Sequence, residues 1–559
     1  MSDSPIARRI DQGSGRAEAD LVVRNARLLN TATGTIDRGD IAICGEVVVG
    51  THDSYRGRRE IDAAGRIVAP GFIDTHLHIE SSLVLPGEFE RGVLPRGTTT
   101  AICDPHEIAN VLGVAGIRYF LEASCTLAMT LRVNLSSCVP ATELETAGAR
   151  LEAEDLLPLR AHPAALGLAE VMNFPGVLAK DRGLLAKLEA FADGHVDGHA
   201  PLLRGLPLNG YLAAGIRTDH ECTELDEAHE KLAKGMVILM REGSIAKNVA
   251  TLAPLLTDLT WPRIAFCTDD RNPLEIVEEG HIDAAIRIAI AAGAPPIAAY
   301  RAASLGAAMA FGLRDRGVVA PGYRADLVLL EDLERVTVSD VICGGRLVGP
   351  DLFHGRRHAP AVGHGSIRRA AVAAADLAAE APRADTPVIG ARPLSLLTDH
   401  LSWSAADGPV LQMAVLERHG RNGNIGKGWV AGFGPLRGAI ASSIGHDSHN
   451  LIVAGDSPAD MAAAVNHLIG LQGGAAVVWD GQVLADLPLP IAGLMSDRDL
   501  AFVEARLRSL RAASTSCGCT MSEPILQLAF LPLPVIPHLK LTDRGYVAAG
   551  TGGLRLLQP

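Results

Sequence analysis

The amino-acid sequence predicts an α/β protein: a TIM-like (β/α)8 barrel, a small β-sandwich domain built from both flanks of that barrel, and a C-terminal α/β domain. Three observations predict it. Between about 71 and 314, short apolar runs that end in polar or ionisable residues alternate with amphipathic stretches. Strand-rich segments stand on either side, at 19–70 and 315–355, and both carry the string Ala-Asp-Leu-Val. Beyond 393 a further set of strands and helices follows an Ala/Arg/Pro-rich stretch. A chain of 559 residues exceeds what one compact core fills, so several units are expected.

Taken in order, residues 1–18 are polar and Gly/Ser-bearing and read as a loose leader. The runs DLVVRNARLL, DIAICGEVVVG and GRIVAP are β-branched and broken by turn residues, which marks strands. The same texture returns in ADLVLLEDLERVTVSDVICGGRLVG (325–349), so the two flanks are expected to form one small β-domain around a long insert. Within the insert, TTTAICDP, LRVNLSSC, ALGLAEV, MVILMREG and RIAFCTDD read as strands, and GLLAKLEAFADG and LDEAHEKLAKG as helices. Repeated strand-then-helix units with ionisable residues at strand C-terminal ends are the pattern of a (β/α)8 barrel. A doubly wound sheet would carry a Gly-rich phosphate turn after its first strand, and this sequence has none there. Residues 356–392 read as a linker with a surface helix. From 393 to 559, VLQMAVLER, NLIVAGD and AAVVWDG read as strands, PADMAAAVNHLIGL and SDRDLAFVEARLRSLRAA as helices.

Charge and composition exclude some partners. The chain carries 51 basic and 64 acidic residues, a net charge of −13, with no basic run, which argues against a nucleic-acid partner. No N-terminal stretch has signal-peptide character and no window approaches a membrane span. Nine scattered cysteines, an odd number, read as reduced thiols. A cytoplasmic protein with no membrane partner is the expectation.

The strongest local signal is PGFIDTHLHIESS (70–82). His76 and His78 are two apart on a strand, so their side chains share one face, and inside a barrel both imidazoles aim at one point. An isolated His-x-His also describes two polar residues on a strand face. Later strand ends add Glu170, His199, His220, and Asp269 or Asp270. In that order they would complete a two-metal site on one face of the barrel. Mixed imidazole and carboxylate donors suit Mn²⁺, Fe²⁺ or Zn²⁺ and disfavour a thiolate-type site. Three further groups have two readings each. Asp104, His106 and Glu107 line the pocket or orient ligands, or else start a helix as N-cap and capping box. His446, Asp447 and His449, in the string HDSHN (446–450), reach over the barrel mouth or form a separate metal site, or else a structural hydrogen-bond cluster. Arg271 and Asn272 contact substrate, or else make a salt bridge and a cap.

PGFIDTHLHIE, the late Asp after a strand, and VVAPGYRADLVLL (318–330) resemble the amidohydrolase superfamily. Within it, GTTTAICDPHEIANVLG (97–113), GLAEVMNFPGV (167–177), DGHAP (197–201), AGIRTDHE (214–221), MREGSIAKN (240–248), CTDDRNP (267–273) and GFGPLRGAIASSIGHDSHN (432–450) are similar to the adenine deaminase family. The resemblance covers about 20–545, except a poorly matching stretch near 355–410. It implies a barrel enzyme that hydrolyses adenine to hypoxanthine and ammonia, by attack of a metal-bound hydroxide on C6 in a binuclear Mn or Fe centre. It further implies His76 and His78 on one metal, His199 and His220 on the other, and Glu170 bridging them. Asp269 would bind metal and take the proton from water, with Glu170 and Glu221 as alternative proton carriers. A small-molecule substrate, water and a homo-oligomeric assembly are the implied partners. The competing readings are a cyclic amide hydrolase, which usually carries a lysine where this chain has Glu170, and a metal-free assembly module, in which the ligand set should have eroded.

Overall fold

The computed structural model describes residues 4–550 and 553–557. Its centre is a TIM-like barrel of parallel strands. Phe72–Leu77, Thr98–Cys103, Thr130–Leu135, Ala165–Val171 and His195–Gly198 pair in succession. Thr218–Asp219, Val237–Arg241 and Ile264–Cys267 pair likewise. The ring closes where Asp269 N–H donates to the His76 carbonyl at 3.0 Å and His78 N–H donates to the Asp269 carbonyl at 3.1 Å. At the other junction, between the fifth and sixth strands, a Cβ on Gly198 would lie 2.2 Å from the Thr218 carbonyl oxygen, so only glycine lets the two backbones approach. The first, second, seventh and eighth strands are buried along their whole length, as parallel strands covered by helices must be.

The flanks pair with each other. Ile67–Pro70 runs antiparallel to Leu327–Asp332, with Val328 opposite Ala69, which joins five N-terminal and three C-terminal strands into one eight-stranded sheet. Alternation in Leu21–Asn30 and Leu327–Asp332 divides that sheet's apolar residues. Leu28, Ile41, Val68 and Leu329 make its own core, while Leu29, Ile67, Val328 and Leu330 pack on the barrel helices.

The C-terminal part is a second eight-stranded sheet, running from Thr398–Ser402 at one edge to Gln482–Pro488 at the other. Helix Pro458–Leu471 starts with Ser457 accepting from Asp460 N–H and Pro458 in the first turn, and buries Met461, Ala464, Val465 and Leu468 on the sheet. This part covers the barrel mouth. Asp543 accepts from Thr146 N–H at 2.9 Å, the Asn450 amide donates to the Thr146 carbonyl at 2.9 Å, and Phe530, Leu533 and Ile536 pack on Cys138, Met172 and Ile245.

Two expectations are corrected. The polar leader is a helix, Pro5–Gly13, whose Gln12 is buried and donates to Asp20 at 3.1 Å; it packs on the strand Val47–Thr51, a contact no local pattern announces. The helix of the 356–392 linker is the short Ala374–Leu377, and the linker's Ile367, Val372 and Leu377 are buried in the core beneath helix Pro458–Leu471. The strand Pro387–Ala391 lies within it. Sparse apolar residues that bind a strap to another unit carry no period to read. Among the described residues no helix is long and apolar enough to cross a membrane.

Candidate active site

Strand geometry delivers the imidazoles to one end of the barrel. His76 is next to last in the first strand and His78 follows it, Glu170 is next to last in the fourth, His199 follows the fifth, His220 the sixth, and Asp269 the eighth. Their side chains converge on the Glu170 carboxylate. Oε1 lies 3.5 Å from His76 Nε2 and 3.3 Å from His78 Nε2, while Oε2 lies 2.6 Å from His199 Nδ1 and 3.4 Å from His220 Nε2. One oxygen thus faces each histidine pair. Asp269 Oδ1 stands on the first pair's side, 3.1 Å from His78 Nε2 and 3.7 Å from His76 Nε2. Asp269 has φ 56°, a left-handed conformation that Asp tolerates better than most residues.

Further groups fix the rings. The His76 Nδ1 sits 2.9 Å from Asp197 Oδ2, and the His78 Nδ1 sits 2.9 Å from the Asp104 carbonyl oxygen, so both rings turn Nε2 toward Glu170. Arg241, at the end of the seventh strand, grips Glu221 through both carboxylate oxygens and donates to Asp269 Oδ2 at 2.6 Å. Asp219 Oδ1 accepts from Ala200 N–H at 2.8 Å, and Lys231 donates to both Asp219 and the Ala200 carbonyl, which ties the segments bearing His199 and His220 together.

Burial alone would raise the carboxyls of Glu170, Asp269 and Glu221. The surrounding imidazoles hold Glu170 well below the usual range, Arg241 and His78 do so for Asp269, and Arg241 lowers Glu221. All three are therefore carboxylates at neutral pH. Asp270 goes the other way, raised by burial and by Asp269, with Ser81 donating to it.

The remaining expected residues divide. His106 lies against the site, its Nδ1 2.9 Å from Asp104 Oδ2 and 3.4 Å from Glu170 Oε1. Asp104 accepts from Ser136 at 3.0 Å, and Pro105, not Asp104, precedes the helix His106–Leu112, whose first residue lacks a side-chain cap; the capping reading of Asp104 and Glu107 is not what forms. Glu107, His446, Asp447 and Asp270 all line the same cavity. Arg271 does not. Its guanidinium donates to the Gly280 and Glu242 carbonyls and to Glu279, each at 2.9 Å, so its expected role toward substrate is withdrawn. Asn272 caps the helix Pro273–Glu278 by accepting from Glu275 N–H.

Sequence reasoning missed Arg241, Asp197 and the apolar roof of Leu396, Phe530, Leu533 and Ile536. Arg241 and Asp197 had a signal, since each is a charged residue inside a barrel-strand run. The roof had little, because AFLPLPVIP follows neither helical nor strand period.

The donor set fits divalent cations. His76 Nε2 is buried without a hydrogen-bond partner among the described residues, yet faces two carboxylate oxygens. Stranding such an atom is costly unless a cation between the groups uses its lone pair.

The amidohydrolase family model matches residues 67–348, and the model of the adenine deaminase C-terminal domain matches residues 395–552. An adenine deaminase of Methylobacterium nodulans is 62% identical over 97% of this chain and 98% of its own length. One from Cereibacter sphaeroides is 58% identical over 96% of this chain and 97% of its own. The chain belongs to the adenine deaminase family of amidohydrolases.

Proposed function

We propose that this protein hydrolyses adenine to hypoxanthine and ammonia at a binuclear centre whose bridge is Glu170. The observation that carries the reading is the division of the Glu170 carboxylate, Oε1 toward His76 and His78 and Oε2 toward His199 and His220. The eight parallel strands, the sheet of both flanks and the second sheet support a complete (β/α)8 barrel with a flanking β-sandwich (19–70 with 315–355) and a C-terminal α/β domain (from about 393). His76, His78 and Asp269 would hold one cation, His199 and His220 the other. The donors suit Mn²⁺ or Fe²⁺, with Zn²⁺ also compatible. When bound, such cations acidify water enough for it to attack near neutral pH.

The chain's own groups do the rest. Water adds its oxygen at C6 and the C6–N bond breaks, so one of its protons must pass to the departing amino nitrogen and the other to ring N1. We assign that transfer to Asp269, whose Oδ2 is held by Arg241 and whose Oδ1 faces the centre beside His78. Glu221, with both oxygens on Arg241, and Glu170, with both oxygens facing imidazoles, are the alternative carriers. A positioned shuttle of this kind contributes roughly 10²–10⁴ in rate. Phe530, Leu533 and Ile536 line the cavity and offer a flat apolar ring an apolar wall.

The test is protein expressed with added Mn²⁺, with adenine absorbance and ammonia release followed in one sample. Adenine conversion is expected, lost in a folded His76→Ala, His78→Ala variant. Metal-loaded protein that leaves adenine intact while hydrolysing another 6-aminopurine or a cyclic amide would replace the substrate assignment. Metal-loaded protein inert toward all three would remove the enzymatic reading.

A further inference from the structure

A second carboxylate-centred cluster lies beside the first. Glu107, on the helix His106–Leu112 of the barrel, meets His446 and His449 from the C-terminal part. Glu107 Oε1 lies 2.6 Å from His446 Nδ1, Oε2 touches His449 Nε2, and the three donor atoms lie within 4.8 Å of one another. All three side chains are at most 3% exposed.

This is too polar a knot for what it bonds. Asp447 Oδ2, His446 Nε2 and His449 Nδ1 are buried without a hydrogen-bond partner among the described residues. Each such atom is costly if left so. Glu107 paired with both rings still strands the far nitrogen of each, together with Asp447 Oδ2. His106 turns toward the same point, its Nε2 3.4 Å from Glu107 Oε1 and 3.7 Å from Asp447 Oδ1, while its Nδ1 is committed to Asp104. We propose that Glu107, His446 and His449 form a third cation site, distinct from the Glu170 centre, with His106 and Asp447 available to complete it.

Two imidazoles and a carboxylate, with no thiolate among them, suit Mn²⁺, Fe²⁺ or Zn²⁺. A cation there links the barrel to the part that roofs it. His446 is stacked on Phe530, ring centroids 4.2 Å apart and planes 2° from parallel, so the ion fixes the residue on which the roof rests. Metal at this site therefore stabilises the closed mouth; it does not take part in the transfer itself.

The experiment is metal analysis of Mn²⁺-loaded protein after gel filtration, for the parent, Glu107→Gln and His449→Ala, with circular dichroism to confirm folding. Each folded variant should hold about one equivalent fewer per chain than the parent. Folded variants with the parent's metal content overturn the proposal. Should both variants fail to fold, anomalous scattering at the manganese edge from parent crystals decides. Density between Glu107, His446 and His449 supports the site, and its absence there refutes it. Adenine turnover in the same samples reports separately on the Glu170 centre, so loss of one reading leaves the other standing.

Discussion

The clusters around Glu170 and Glu107 use the same side-chain types but are built differently. His76, His78, His199, His220 and Asp269 all sit at strand ends of one barrel, and several are held from behind: His76 by Asp197, His78 by the Asp104 carbonyl, and Asp269 by Arg241. The donors around Glu107 come from two parts of the chain, and the far ring nitrogens, His446 Nε2 and His449 Nδ1, have no hydrogen-bond partner among the described residues. The first cluster is largely set before an ion arrives, because its rings cannot turn without breaking second contacts. The second takes its geometry from the docking of two units and from whatever lies between them.

The largest break in this comparison is Glu170→Ala. It removes the one group shared by both histidine pairs and leaves four buried imidazoles around a void. Turnover should fall by at least about 10³-fold, since a Lewis-acid centre supplies several kcal/mol to the barrier. A variant within tenfold of the parent in kcat would show that the two pairs work without a common carboxylate.

The contrast also decides what was legible in the sequence. His76 and His78 share a strand face two residues apart, and Glu170, His199, His220 and Asp269 each stand where an apolar run stops; a barrel converts that linear order into one ring. The Glu107 cluster has no such rule. HDSHN announced chemistry, but its partner lies hundreds of residues upstream, and only the packing of the C-terminal sheet over the mouth brings them together. The roof was silent for the same reason, since Phe530 and Ile536 face the cavity by virtue of docking. The N-terminal helix was misread because its polar composition outweighed Ser4-Pro5, a fair helix start, and because Gln12 is buried by a partner strand that lies far along the chain.

The next effect tests the scaffold behind the ordered cluster. Lys231 is fully buried against Asp219 and Glu227, at 2.9 and 2.6 Å. Lys231→Met leaves Asp219 buried and unpaired, which costs about 3–5 kcal/mol; it should appear as a lower denaturant midpoint. Acid stability sharpens the test. Burial would raise the Asp219 carboxyl, but Lys231 first, with His220 and Cys222, brings it from 3.8 to about 2. A folded-state value below the ordinary one stabilises fully above pH about 4, and that stability drains as pH falls toward 2. Without Lys231 burial dominates, so acid unfolding should begin at higher pH. Parent-like acid and denaturant midpoints would mean that the pair does not brace this side of the barrel.

The smallest expected effect isolates the brace itself. Asp197 is fully buried, bonded to His76 Nδ1 and Thr218, and does not line the cavity. Asp197→Asn keeps the shape and removes the charge that makes His76 a better donor. Outer partners of this kind are worth roughly 10–100-fold in metal affinity or activity. Mn²⁺ affinity measured against a chelator should fall within that range, while KM for adenine in metal-saturated enzyme stays near the parent value, since no atom facing the substrate has changed. Unchanged affinity would show that the His76 ring is held by its strand alone. The distinction between the braced Glu170 centre and the unbraced Glu107 cluster would then rest on the barrel backbone, not on second contacts.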